Sequence, residues 1–335
     1  LDLGNLDVGT DKIEGQIIRL YADVATVQLP NSTVECAIRG KLFKADPPAV
    51  GDWVRLERTK GAVAGAVGGV GASDESAAYA IVEVLPRKSA LERRAAGTQL
   101  AGSPGRKQVM IANLDQVIVV FAAARPDPVP AKLDRFLVVA ESNDLQAQVV
   151  VNKMDLAEDE DATREMFRPY EKAGYRVHYT SMKRGDGLEG LRDALRGKVS
   201  ALVGSSGVGK SSLLNGLYPG LNLKVGEIIE AYGKGRHTTV GGHLIRLPNE
   251  AAGGAVADTA GLREIGLWMI PPEDLPHCFP EMKPLLNQCR FNDCAHLKEP
   301  GCAIIEAVER GEIDAGRYDS YVKLRLEAVE TFPRW

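Results

Sequence analysis

Short runs of alternating apolar and polar residues fill the first quarter of the chain; longer apolar runs separated by amphipathic stretches fill the middle. Segments 16–21, 25–29, 34–39, 52–57 and 80–85 each read as a short strand, with Pro-Asn and Pro-Pro turns between some of them. Strands this short and this close predict a small barrel, an OB-fold or an SH3-like barrel. A glycine-rich loop, 61–72, lies inside it. From Asp115 the period changes. Segments 116–122, 146–151, 175–179 and 199–203 read as strands, and 132–141, 160–173 and 188–195 as the helices between them. Such alternation predicts a parallel, doubly wound sheet. Segment 158–161 is an acidic helix start, and 303–310 with 318–329 read as a helical hairpin. The domains expected are a loose terminus at 1–12, a barrel at 13–85, a linker at 86–112, an α/β domain at 113–270 and a C-terminal domain at 271–335.

Charge changes one part of this picture. The chain carries a net charge of −4, so any nucleic-acid affinity must come from a local patch. The linker supplies one: Arg87, Lys88, Arg93, Arg94, Arg106 and Lys107 stand against Glu92 alone. A solvated linker and a contact to a phosphate backbone both fit that composition. No apolar run is long enough to span a membrane, and the first residues lack a basic and an apolar signal region, so a cytoplasmic protein is expected.

The chemistry centres on Gly204-Ser-Ser-Gly-Val-Gly-Lys-Ser-Ser212, which fits G-x-x-x-x-G-K-[ST] between a strand and a helix. Glycines let successive N–H groups turn toward phosphate oxygens, and the helix start adds partial positive charge. Gly204, Ser205, Ser206, Gly207, Val208, Gly209, Lys210, Ser211 and Ser212 are therefore expected to bind a nucleotide. Lys210 would reach the β/γ-phosphates and Ser211 would ligate Mg²⁺. Asn152-Lys153-Met154-Asp155 ends an earlier strand as an N-K-x-D motif. The Asp155 carboxylate can accept from guanine N1–H and the 2-amino group together, which adenine cannot offer. Asn152 and Lys153 would fix the loop and cover the base; Thr180 and Ser181 close the next strand in position to meet the guanine carbonyl. Together these favour GTP over ATP.

Downstream, Asp258-Thr-Ala-Gly261 fits D-x-x-G. Asp258 would hold Mg²⁺ through water and the Gly261 N–H would sense the γ-phosphate. Between the two lies the loop Tyr232-Gly-Lys-Gly-Arg-His-Thr-Thr239, where Thr238 or Thr239 would complete the Mg²⁺ shell. Leu262 stands where many GTPases carry a water-orienting Gln. Slow intrinsic hydrolysis is expected, with His237 the candidate to orient or deprotonate the water. The base-reading motifs precede the phosphate loop, the reverse of the ordinary order. That is a circular permutation, and it joins the residues after D-x-x-G directly to a C-terminal module.

Five cysteines, four of them at Cys278, Cys289, Cys294 and Cys302, argue for metal rather than disulfides. Cys289-x₄-Cys294-x-His296-x₅-Cys302 supplies three thiolates and an imidazole, a closed ligand set suited to a structural Zn²⁺. His277 and Cys278 read as packing residues, as does Cys36. Tyr318, Tyr321, Lys323 and Arg325 read as an ordinary amphipathic helix with RNA contact as the alternative.

Taken together these residues resemble the small-ribosomal-subunit-dependent GTPase A family (RsgA, also called YjeQ). The resemblance rests on Gly51-Asp-Trp-Val54, Asn152-Lys-Met-Asp155 ahead of the phosphate loop, Gly235-Arg-His-Thr-Thr239, Arg263-Glu-Ile-Gly-Leu267 and the Cys₃His spacing. It implies a multidomain protein: an N-terminal OB-fold, a circularly permuted P-loop GTPase domain and a C-terminal zinc finger with helices. It also implies a late assembly factor of the 30S subunit and its 16S rRNA, stimulated by that subunit, with the catalytic histidine at His237. A monomer is expected. Ala260 departs from the usual proline of D-T-P-G, and Ile265 from the usual phenylalanine; neither removes a functional group.

Overall fold

The computed structural model describes residues 13–21, 24–38, 47–58, 79–94, 107–221, 223, 243–248, 254–258 and 270–332. At the N-terminus, β1 (Ile13–Tyr21), β2 (Val24–Gln28), β3 (Thr33–Ile38), β4 (Trp53–Arg58) and β5 (Tyr79–Val84) succeed one another. They pair in the order β1-β2-β3-β5-β4, and β4 returns to β1 to close a barrel. Every pair is antiparallel except β3 with β5. This is the OB-fold arrangement, which removes the SH3-like alternative. Alternation along the strands sends Ile17, Ala25, Val27, Val54, Leu56 and Ile81 into the barrel core.

The stretch 86–112, expected to be a basic linker, holds a two-stranded ribbon of β6 (Ala90–Arg94) and β7 (Lys107–Ala112). Its apolar pair, Leu91 opposite Ile111, is buried among the barrel residues, which is why the charged stretch folds back. Arg87 is committed internally. Its guanidinium pairs with both oxygens of Asp52 at 2.7 and 2.8 Å, and Asp52, fully buried, also accepts from the Ala49 N–H. Bidentate pairing of a buried carboxylate is structural chemistry, and it takes Arg87 out of the set available to an outside phosphate.

The second half of the sheet runs β10-β9-β8-β11-β13-β12, with β8 (Gln116–Ala122), β9 (Gln146–Asn152), β10 (Arg176–Tyr179), β11 (Val199–Val203), β12 (His243–Arg246) and β13 (Ala255–Asp258). All pairs are parallel except β12 with β13. β8 is buried along its whole length, and its period of two decides the layers. Val117, Val119 and Phe121 pack with Leu133 and Leu137 of α1 (Pro130–Glu141) and Phe167 and Tyr170 of α2 (Glu160–Lys172). Ile118, Val120 and Ala122 pack on the other face with Leu191 and Leu195 of α3 (Leu188–Leu195) and Leu213, Leu214 and Leu217 of α4 (Lys210–Leu217). The acidic start of α2 is a cap: Asp159 accepts from the N–H groups of Asp161 and Ala162.

A buried polar line crosses this sheet. His178 Nε2 lies 2.8 Å from Gln148 Oε1, Gln148 donates to Gln116 Oε1 at 2.8 Å, and Gln116 donates to the Ala194 carbonyl and Ser200 Oγ. Burial, with the nearby Arg176 charge, lowers the His178 imidazole to about 4. The folded protein thus binds the proton more weakly than the unfolded chain. Stability is complete above about pH 6.5 and is lost as the pH falls toward 4. Allowing for solvent screening, the expected loss at pH 5 is about 1–2 kcal/mol. Denaturant unfolding of His178→Gln, which keeps a donor to Gln148, should show a pH 5 to pH 7 difference smaller by that amount; an unchanged difference would reject the assignment.

The C-terminal module contains α5 (Ala303–Glu309) and α6 (Ala315–Thr331), separated by a turn at Gly311 with φ +72°. It packs on α1 through Val138, which joins Leu275, Phe279, Met282, Ile304 and Tyr321 in one core. Arg317 of α6 locks the two together. Its side chain is 3% exposed and donates to Asp134 of α1 at 2.6 Å and to both oxygens of Glu281 at 2.7 and 3.0 Å. The guanidinium also lies over Phe279 and Tyr170, 4.8 and 5.1 Å from the ring centres. Burial pushes the Asp134 carboxyl up and the guanidinium pulls the other way. Arg317→Met strands that carboxyl without its cation and is expected to cost about 3–5 kcal/mol in a denaturant titration. A loss below 1 kcal/mol, roughly the value of an exposed pair, would contradict this reading. Among the described residues no helix is long and apolar enough to cross a membrane.

Candidate nucleotide site and metal centre

The loop between β11 and α4 stands at the C-terminal edge of the parallel strands, where open α/β sheets bind ligands. Its shape depends on two glycines. Gly204 has φ +143°, and a Cβ there would lie 2.1 Å from the Val120 carbonyl oxygen; Gly209 has φ +96°, and a Cβ would lie 2.5 Å from Asn152 Nδ2. Only glycine admits both the conformation and the approach. Lys210 and Ser211 open α4 and are buried, while Ser206 and Gly207 are exposed. Lys210 Nζ donates to the carbonyls of Gly204 and Ser205 at 2.7 and 3.0 Å, so the ammonium reaches back across the loop.

The N-K-x-D segment is tied to this loop. Asn152 Nδ2 donates to the Val208 carbonyl at 2.9 Å, and Asn152 Oδ1 accepts from Thr180 Oγ1 at 3.1 Å. Ser181 Oγ donates to Asp155 Oδ1 at 2.6 Å, and Lys153, held at φ +60°, donates to the Arg125 carbonyl. Residues 56 positions apart, Asn152 and Val208, therefore share one hydrogen bond, and the base-reading and phosphate loops form a single wall. Arg184 closes the loop after Ser181: its N–H donates to Ser181 Oγ, and its guanidinium pairs with Asp186 and Glu160 at 2.6 Å each. Sequence patterns do not reveal Arg184, because a surface Arg among Gly and Asp carries no motif.

Asp258 ends β13, parallel to β11, which puts it at the same edge of the sheet as the phosphate loop. His237, Thr238, Thr239 and Gly261, with Ala260, Leu262 and the segment 263–267, lie outside the described residues, as do residues 1–12 and the loop 61–72.

The second site is in the C-terminal module. One ligand atom from each of Cys289, Cys294, His296 and Cys302 lies within 4.8 Å of every other. Ligands about 2.0–2.3 Å from one tetrahedral ion stand about 3.3–3.8 Å apart. Here Cys289 Sγ is 3.8 Å from Cys302 Sγ and 3.5 Å from His296 Nδ1, and His296 Nδ1 is 3.4 Å from Cys302 Sγ. The donor set and its edges fit one four-coordinate ion. The surrounding turn is held from within by Glu299, which accepts from the N–H groups of Ala295, Leu297 and Lys298, and from outside by Tyr318, which donates to the His296 carbonyl at 2.9 Å, and Tyr321, which donates to the Ala295 carbonyl at 2.7 Å. The two tyrosines hold the metal loop, a role their spacing on a helix did not reveal. Cys278 packs in the core beside α1 and is not part of the group.

The family model described as RsgA GTPase matches residues 84–268. A small ribosomal subunit biogenesis GTPase RsgA from Gemmatimonas aurantiaca is 53% identical over 251 residues, covering 75% of this chain and 79% of that protein. The protein of the same name from Moorella thermoacetica is 37% identical over 318 residues, 95% of this chain and 98% of its own length. Among solved structures, YjeQ from Thermotoga maritima superposes with a TM-score of 0.72 at 34% identity, over 95% of this chain and 99% of that one. YloQ, described as a circularly permuted GTPase, does so with a TM-score of 0.69 at 28% identity, over 99% and 100%. With a permuted sheet order, a closed barrel before it and a Cys₃His group after it, the chain belongs to the RsgA GTPase family.

Proposed function

We propose that this GTPase is a biogenesis factor of the small ribosomal subunit, stimulated by that subunit and acting in its late maturation in the cytoplasm as a monomer. The observation that carries the guanine reading is the double use of Asn152, whose amide ties Val208 of the phosphate loop to Thr180 of the base loop. A wall built that way presents the Asp155 carboxylate, held by Ser181, at a set distance from the phosphate cradle. Asp155 accepts from guanine N1–H and its amino group, Lys153 covers the base, and the Thr180–Ser181 backbone meets the carbonyl. The N–H groups from Gly204 to Ser212 and the Lys210 ammonium hold the phosphates. Ser211, Thr238 or Thr239, and Asp258 offer the oxygen-only donors that Mg²⁺ requires. Bound there, Mg²⁺ neutralises charge on the β- and γ-phosphates. The Gly261 N–H meets the γ-phosphate, and His237 orients the attacking water and takes its proton.

In the C-terminal module the three thiolates and imidazole hold Zn²⁺ as a structural ion, since four protein ligands leave no position open for a substrate. The barrel and this module flank the GTPase domain and would carry the contacts to 16S rRNA. Leu262 favours one other reading, a GTP-gated RNA-binding module with little turnover. Co-sedimentation with purified subunits tests the partner. Binding to the small subunit with a non-hydrolysable GTP analogue, and at least roughly tenfold weaker binding with GDP, is expected. Equal pelleting with both subunits, or with neither, would reject the assignment.

A further inference from the structure

The barrel and the nucleotide-binding sheet meet along one strand pair. β12 pairs with β13 on one side and with β1 of the barrel on the other. Its rung with β1 sets Arg19 opposite His243, and its rung with β13 sets His243 opposite Asp258. Arg19, His243 and Asp258 therefore occupy one row across three strands. The contact is also made by side chains: Arg19 Nε donates to His243 Nε2 at 2.9 Å, so the ring accepts at Nε2. A register shift between Ile17 and Arg19 against β2 marks a bulge, a device that bends a strand and re-aims the next side chains along it. In β1 the rung that follows the bulge is that of Arg19. Cross-strand side-chain pairs are the unit of sheet stabilisation, and Arg19 with His243 is the rung between β1 and β12 among the described residues.

We infer that Arg19 is a positioning residue for the GTPase site, contributed by the barrel: by holding His243 it sets β12 against β13 and thereby the place of Asp258. This rests on the reading of Asp258 as a Mg²⁺-holding carboxylate. Arg19 acts through His243, by one hydrogen bond and two backbone pairings. The arrangement makes the barrel part of the machinery that sets Mg²⁺ affinity, so that whatever displaces the barrel also changes how tightly the nucleotide is held.

The test measures, on the full chain, the Mg²⁺ concentration that half-maximally slows release of a fluorescent GTP analogue. Arg19→Ala and His243→Leu each remove one partner, and each is expected to raise that concentration roughly fivefold or more. Affinity for the analogue without Mg²⁺ and the melting temperature should stay near wild type. His243→Gln keeps an acceptor for Arg19 and should restore the wild-type curve, which a purely structural role for the ring would not produce. Asp258→Asn is the reference and should shift the curve further in the same direction. A wild-type Mg²⁺ curve for Arg19→Ala beside a shifted Asp258→Asn overturns the inference and leaves the site reading standing. An unshifted Asp258→Asn overturns the site reading, and the inference falls with it.

Discussion

Asp155→Asn is expected to turn the base preference from guanine to xanthine. The carboxylate offers two acceptors to guanine's N1–H and amino group; an amide offers one acceptor and one donor, the complement of xanthine's N1–H and 2-oxo group. Removing a matched pair at a base-reading site changes discrimination by on the order of 10⁴. Asparagine retains an oxygen for the Ser181 hydroxyl, which donates to Asp155 Oδ1 at 2.6 Å, so the loop should keep its shape and the effect should be confined to the base. Competition of GTP against XTP for the protein gives the answer directly. An unchanged ratio would mean that Asp155 does not face the base.

Cys302→Ala is expected to empty the metal centre and loosen everything from residue 270 onward. Cys302 is 2% exposed, precedes α5 directly and packs with Ile304, Phe279 and Tyr321 in the core shared with α1. Structural zinc contributes about 10–16 kcal/mol of apparent binding free energy to small folds, most of which fails when one of four ligands is removed. Elemental analysis should find one zinc per wild-type chain and little in the variant. Amide exchange across 289–302 and α6 should rise, with GDP affinity altered less than about threefold, because Arg317 and Val138 anchor the module at a distance from the phosphate loop. Full metal content in Cys302→Ala would contradict the ligand assignment.

Much of the site was legible because it is made of short local motifs. Gly204 and Gly209 are needed by backbone geometry and the Cys₃His set by ligand count, and each leaves a residue type at a set spacing. The barrel strands were legible from period-two alternation, yet OB-fold and SH3-like barrels were separated only by the parallel β3–β5 pair, a long-range fact that no local pattern contains. The ribbon of β6 and β7 escaped because six basic residues outweigh one apolar pair, Leu91 and Ile111, in the local composition. Arg87, Arg184 and Arg317 escaped for a related reason. An arginine in a bare sequence is a surface charge until its partners Asp52, Glu160 or Asp134 are brought to it from 24 to 183 residues away.

The permutation gives these contacts their sense. β13, which carries Asp258, is joined to the barrel through β12, and in chain order it is followed by the C-terminal module instead of the base-reading strands.

Steady-state hydrolysis of GTP and ATP, each with and without purified small or large ribosomal subunits, tests the central claim most directly. Slow GTP-selective turnover by the chain alone is expected, rising at least roughly tenfold with small subunits and not with large ones. Hydrolysis of ATP at a comparable rate, or GTP turnover indifferent to both subunits, would contradict it.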